Sequence, residues 1–269
     1  MKAAAMELAE QFDRAADRYD LLTRLNPGYH RALRDAATGL VARLRGTVRA
    51  AAGARGAEDE GGPAATPVDG PAAPALTLWD LGCGSGLSTE ALLQATGPGV
   101  RIVGLDASEG MLAQARGKDW PPGVSFVHAV AQDLPEVADR ELAGPADGAF
   151  AAYLMRNVPE HQRDAVVRAI GDQVRPGGWV ALQDYHVKGD RVASAVWTLV
   201  CWGVVMPLAV AVRGNPTIYR YLWRSVLDND STAELTGRLT RAGFTDVSWS
   251  TAGGWQRGIL HTVLARRPG

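Results

Sequence analysis

From residue 76 onward, short apolar runs alternate with stretches of helical periodicity, the pattern of an α/β chain with a largely parallel sheet. The runs are LTLWDL (76–81), RIVGLD (101–106), VSFVHAV (124–130), DGAFAAYLM (147–155) and GWVALQDY (178–185), with FTDVSWS and ILHTVLAR closing the chain. Between the fourth and fifth, Val166, Val167, Ile170 and Val174 mark one helical face, and RPGG at 175–178 is expected to stop that helix. Ser231 and Glu234 have the spacing of a capping box, which predicts a helix that Gly243 ends. Upstream, residues 6–49 read as helical with a break at Asn26-Pro27-Gly28, and Leu33, Ala37, Leu40, Val41, Leu44 and Val48 recur on one face.

Two segments break this alternation. The first, 51–75, is rich in Ala, Gly and Pro and has no aromatic residue, so it buries too little apolar area to offset its ordering entropy; a disordered connector is expected. It separates an N-terminal helical segment, 1–50, from the α/β domain, 76–269. The second is the run 192–212, which holds 21 residues without a charge between Arg191 and Arg213 and is long enough to cross a bilayer. Strands follow it that must return to the same sheet, and Pro207 interrupts it. The expectation is therefore a helical lid over an apolar pocket, inserted at about 187–228.

Composition adds mainly exclusions. At 46% apolar, 21% charged and a net charge of -1, the chain has the balance of a soluble domain with no general pull toward nucleic acid. Six arginines between 31 and 55 against Asp35 alone form a basic face on the N-terminal helix. Cys83 and Cys201 lie far apart, the five histidines are scattered, and the N-terminus carries charges where a signal peptide would be apolar. A cytoplasmic, reduced protein without a metal site is expected.

The chemistry concentrates in LWDLGCGSGLSTEALL, a strand that breaks into Gly82, Gly84 and Gly86 and resumes as a helix. Such a turn lets a ligand approach the backbone, and the helix start offers free N–H groups. Asp106, at the end of the next strand, stands where the hydroxyls of a ribose lie in a doubly wound sheet. The loop reads GxGxG with Asp80 before it rather than GxGxxG, which favours the cationic S-adenosylmethionine over a dinucleotide.

With DLGCGSG, LDASEGML, YLMRNVPE, RPGGWVALQDY, YRYLWRS and the N-terminal FDRAADRYDLLTRLNPGYHR, the chain resembles the class I S-adenosylmethionine-dependent methyltransferases, and within them the C-methyltransferases of ubiquinone and menaquinone biosynthesis. The resemblance implies a Rossmann-like, mostly parallel seven-stranded sheet with helices on both faces, N-terminal helices and a helical lid. It implies S-adenosylmethionine as cofactor, held by Asp80, Gly82, Cys83, Gly84, Ser85, Asp106, Ala107, Met111, Val130, Ala131 and Asp133. At Val130 the family has an acid or amide, so adenine contacts fall to the Ala131 backbone and Asp133.

Carbon methylation of an aromatic ring needs an ionised hydroxyl beside the reacting carbon, and His30, Tyr153 and Asp184 are the candidate bases, with Arg156 and Asn157 as oxyanion stabilisers. Tyr19, Trp197, Trp202, Tyr219 and Tyr221 are candidates for the wall around a small hydrophobic substrate. Peripheral membrane contact through the apolar run fits such a substrate. Two other classes stay open, a methyltransferase of diffusible metabolites and a non-catalytic cofactor-binding protein; oligomeric state is not specified.

Overall fold

The computed structural model describes Glu10, Asp13, Asn26 and residues 28–58, 76–142, 144–211 and 216–269, with backbone only at 48–58, 209, 211 and 216–219. Strands β1 (Thr77–Leu81), β2 (Arg101–Asp106), β3 (Val124–His128), β4 (Ala146–Ala152), β5 (Val174–Tyr185), β6 (Thr245–Thr251) and β7 (Leu260–Arg266) form one sheet. Its order is β3-β2-β1-β4-β5-β7-β6, and β7 runs against both neighbours while the first five strands are parallel. The α-helices given bounds among the described residues are α1 (Tyr29–Glu58), α2 (Leu87–Thr96), α3 (Glu109–Arg116), α4 (Leu134–Glu141), α5 (Glu160–Asp172), α6 (Arg191–Val200), α7 (Met206–Ala211), α8 (Pro216–Leu227) and α9 (Thr232–Arg241). This is the Rossmann-like architecture that the resemblance implies.

The two-residue period of the strands sorts their side chains into two apolar layers. Leu78, Ile102, Phe150 and Ala181 pack beneath α1 and α2. Trp79, Leu81, Val103, Leu105, Ala149, Val180 and Leu182 pack beneath α4, α5 and α9. On α1 the predicted face is the buried one, with Leu33, Ala37, Leu40, Val41 and Leu44 inside. Gln183 crosses the first layer, its Nε2 donating to the Ala32 carbonyl at 2.9 Å, and so ties α1 to the strand that leads into the lid.

Two local expectations are corrected. Residues 51–58, assigned by composition to the connector, continue α1, since their alanines favour helix; the remainder of that segment, 59–75, lies outside the described residues. RPGG does not stop α5, which ends at Asp172; it opens β5 instead, as a bulge that shifts the β4–β5 register between Ala146 and Gly148. Glycine is required there, because a Cβ on Gly178 would meet the Asp147 carbonyl oxygen at 2.4 Å. The uncharged run is helical, as expected: α6 passes through a π-helical turn, Cys201–Val205, directly into α7. The wide turn, in which the Met206 N–H donates to the Cys201 carbonyl, precedes Pro207, whose ring would crowd a regular α turn.

After the lid the chain returns to the sheet. Ser231 and Glu234 form the predicted capping box at the start of α9, and β7 pairs with β5 from Trp179↔Arg266 to Tyr185↔Leu260. A single membrane crossing by 191–211 would carry β7 away from β5, so the intact sheet excludes it.

Candidate active site

The strand order reverses beside β1, and the crevice that opens there at the carboxyl ends of β1 and β4 is where ligands bind in open α/β sheets. Its floor is the turn between β1 and α2. Gly82, Gly84 and Gly86 have φ of 71°, 55° and 87°, the left-handed region that a Cβ disfavours. A Cβ on Gly84 would also press on the Met111 methyl at 3.2 Å. The turn is fastened to β2: the Gly82 and Cys83 N–H groups donate to the Leu105 carbonyl, at 2.7 and 3.1 Å.

Asp106 organises the next side. Its carboxylate accepts from the Gly84 N–H and the Ser108 N–H, both at 2.8 Å. Burial raises its pKa, and those backbone donors oppose the rise. Asp80 sits beneath the glycine turn, fully buried, accepting from the hydroxyls of Ser88 at 2.8 Å and Thr89 at 2.6 Å. Burial pushes its carboxyl up to about 7 against the pull of those hydroxyls, and its Oδ1 accepts no hydrogen bond.

The far wall is built where β4 ends. Tyr153 takes a left-handed φ of 60°, which is strained for a non-glycine residue by about 1–3 kcal/mol. The strained turn aims its ring between two others. Tyr29 stacks on Tyr153 with centroids 5.0 Å apart, Tyr153 on Tyr185 at 5.1 Å, and Tyr185 on Trp197 at 5.4 Å. Arg156 lies over the Tyr153 ring at 5.4 Å and pairs with Asp184, whose Oδ1 is 3.3 Å from Nη1 and whose Oδ2 accepts from the Arg156 N–H at 2.9 Å. Both side chains are buried. Asn157 donates to the Tyr153 carbonyl at 3.1 Å and accepts from the Tyr221 hydroxyl of the lid at 3.2 Å.

Together these elements enclose a crevice of about 1000 Å³, its open mouth included. Gly82, Cys83, Gly84, Ser85, Asp106, Ala107, Met111, Val130 and Ala131 line it, and so do Tyr153, Arg156 and Asn157. Other expected residues stand elsewhere. Asp80 acts from beneath the floor, and Asp133 is outside the wall. His30 also stands outside it; Tyr29 and Leu33, one turn apart on the inner face of α1, line the crevice instead. Asp184 faces Arg156 rather than the crevice. Trp197 packs behind Tyr185, and Trp202 is 48% exposed on the outside of the lid. Tyr19 and the side chain of Tyr219 lie outside the described residues. Sequence reasoning missed Ser108, Gln132 and Leu154. Gln132 is two residues beyond Val130, with its side-chain amide donating to the Gln162 Oε1 at 2.9 Å, so it brings to this edge the polarity that Val130 lacks.

The crevice fits S-adenosylmethionine. Asp106 supplies a half-buried acceptor at the end of β2 for vicinal hydroxyls, and the turn supplies backbone that a ligand can touch. The unpartnered Oδ1 of Asp80 places negative potential beneath the end that would take the sulfonium and ammonium groups.

Comparison with known proteins agrees. The methyltransferase domain family matches residues 79–178. The chain is 30% identical over 181 residues to the demethylmenaquinone methyltransferase of Mycolicibacterium vanbaalenii, covering 65% of this chain and 71% of that one. It is 41% identical over 112 residues to the trans-aconitate 2-methyltransferase of Methylobacterium nodulans, covering 42% and 39%. Among solved structures, the phosphoethanolamine N-methyltransferase 2 of Haemonchus contortus superposes with a TM-score of 0.51 at 15% identity, covering 74% of this chain and 50% of that one. The chain therefore spans about half the length of that neighbour, which speaks for the fold alone. The extent of the first similarity, the glycine turn with Asp106 bonded to it and the seven-stranded order place the chain in the class I S-adenosylmethionine-dependent methyltransferases.

Proposed function

We propose that the enzyme methylates a ring carbon of a hydroxylated, lipid-soluble aromatic of the demethylmenaquinone type, working at the cytoplasmic face of a membrane. The observation that carries this reading is the far wall of the crevice: a buried guanidinium, Arg156, fixed by Asp184 and set in a stack of tyrosines. An apolar wall with one fixed cation suits a flat aromatic whose oxygen becomes anionic. The demethylmenaquinone methyltransferase likeness supports the same acceptor class.

In this reading Gly82, Gly84 and Ser85 take the methionine end of the cofactor, Asp106 accepts from the ribose, and Met111 with Ala131 flanks the adenine. The cofactor supplies a methyl group on a sulfonium whose sulfur departs with the bonding pair. The protein's part is alignment and electrostatics. Among the titratable side chains of the wall, the Cys83 thiol is pushed well up by burial and stays neutral, so it is no nucleophile. Asp184 is committed to Arg156. Arg156 therefore favours the ionised acceptor, which raises electron density on the neighbouring ring carbon; Asn157, held by Tyr221, donates to the same oxygen. Once the methyl group is bonded, the ring carbon releases its own proton to restore the aromatic ring; Tyr153 borders that ring and is the one candidate base of the three that stands in the wall to receive it.

The test uses purified protein, methyl-labelled S-adenosylmethionine and either a short-chain prenylated dihydroxynaphthalene or a set of water-soluble phenols. Label on a ring carbon of the prenylated acceptor is expected. Label confined to the water-soluble phenols would overturn the lipid-acceptor reading and favour a diffusible metabolite.

A further inference from the structure

We propose that the rod formed by α6, the π turn and α7 lies flat on an anionic lipid bilayer and seats the enzyme there. Ala193, Trp197 and Cys201, four residues apart, face the protein and are buried. Val192 is 74% exposed, Leu199 72%, Val210 62%, Val204 59% and Trp202 48%, and only 17% of the stretch Arg191–Leu208 is buried. Single exposed apolar residues are ordinary, but a whole helix side of them requires a covering partner.

Charge identifies that partner. From 191 to 227 the chain has no acidic residue and four arginines, at 191, 213, 220 and 224, although its net charge is -1. Arg191, Arg220 and Arg224 belong to the described residues and are exposed; Arg224 pairs with Asp228 at 3.1 Å, so the attraction rests on Arg191 and Arg220. Valine, leucine and tryptophan exposed along the rod, with Arg191 at its start and Arg220 and Arg224 on the neighbouring α8, make the composition of an interfacial surface, with guanidiniums reaching phosphate headgroups. A second copy is a poorer cover. A two-fold contact would set arginine against arginine, and the flanking acids are already engaged, Asp190 in capping α6 and Asp228 with Arg224. A crossing helix is excluded by the β5–β7 pairing.

The rod is also joined to the crevice. Trp197 on its inner side stacks on Tyr185 and Tyr185 on Tyr153; Trp197 also donates to the Trp223 carbonyl of α8, whose Tyr221 hydroxyl holds Asn157. Docking would thus bring the acceptor end of the crevice to the lipid phase. That last step rests on the lipid-acceptor reading; the docking itself does not.

The test is co-sedimentation of the full chain with vesicles of phosphatidylcholine, with and without phosphatidylglycerol, at low and high salt. Binding to the phosphatidylglycerol vesicles that weakens with salt is expected, and a Val192→Ser, Leu199→Ser, Val210→Ser variant should lose about tenfold or more in partition. These side chains are exposed and outside the crevice, so the variant should melt with the wild type and keep its affinity for S-adenosylmethionine. Absence of vesicle binding by the wild type, equal binding by the variant, or a solution dimer that the variant dissolves would each overturn the proposal. Docking without transfer to the prenylated acceptor would support it while overturning the substrate reading.

Discussion

Arg156 and Asp184 form a buried ion pair, Nη1 to Oδ1 at 3.3 Å, in which Asp184 also accepts from the Arg156 and Tyr185 backbone N–H groups. Desolvating both charges makes such a pair a weak source of stability, whereas stranding one of them is costly. Its value is positional, since it holds a guanidinium against the tyrosine stack. Asp184→Asn should lower unfolding stability by about 3 kcal/mol in urea titration, and Arg156→Met with Asp184→Leu should recover most of it. Both variants should bind S-adenosylmethionine normally and transfer little. Additive losses in the double variant would show that the pair does not act as a unit.

Asp80 gives cofactor binding a pH dependence. Burial pushes its carboxyl up to about 7, and a bound cation above it favours the ionised form. Affinity should therefore rise as pH increases through about 7, and Asp80→Asn should flatten the profile and weaken binding by about tenfold at high pH. Calorimetric titration of S-adenosylmethionine across this range checks it. A profile unchanged in Asp80→Asn would assign the dependence to another group.

His186 and His261 stack at 3.9 Å where β5 meets the lid, with the Thr232 N–H donating to His186 Nε2. Burial lowers both pKa values, His261 to about 4, and each ring would repel the other's charge. A histidine depressed in the folded state contributes stability that is complete above its unfolded value of about 6.5 and is lost as pH falls toward the folded one. The melting temperature should drop between about pH 6.5 and 4, less steeply in His261→Phe, which keeps the stack. Parallel curves for the two proteins would refute the assignment.

Tyr153 combines backbone strain with a stacked ring. Tyr153→Phe should keep the fold and cofactor affinity. Tyr153→Gly relieves the left-handed strain but removes the ring between Tyr29 and Tyr185, so stability should fall by about 2–4 kcal/mol on balance. If Tyr153→Phe retains transfer, the hydroxyl is not the base; a loss of about a hundredfold or more in kcat with unchanged cofactor affinity would make it so.

How much of this was legible in the sequence depends on how local the cause is. The glycine turn, Asp106 and the Ser231–Glu234 cap could be read directly, because each is set by backbone geometry within a few residues. The face of α1 could be read too, and it carried an unused clue: Tyr29 is four residues before Leu33, on the same side, so the crevice side of that helix belonged to Tyr29 rather than to His30. RPGG was misread because a Pro-Gly pair signals an interruption without saying whether a helix or a strand absorbs it. The Arg156–Asp184 pair depends on β4 and β5 lying side by side in the sheet, and Gln132 on the turn after β3 meeting Gln162 of α5. No local pattern carries that. Trp202 was expected to face the pocket because an apolar residue ordinarily turns inward; here it faces out.

The central claim is that Tyr153, Arg156 and Asn157 form an acceptor wall separate from the cofactor end of the crevice. Asn157→Ala tests it most directly, measured for S-adenosylmethionine affinity by calorimetry and for kcat/KM with the prenylated acceptor. The account predicts cofactor affinity within about twofold of the wild type and kcat/KM lower by about 10–100-fold, the loss of one positioned donor. Cofactor affinity falling in step with turnover, or transfer left unchanged, would contradict it.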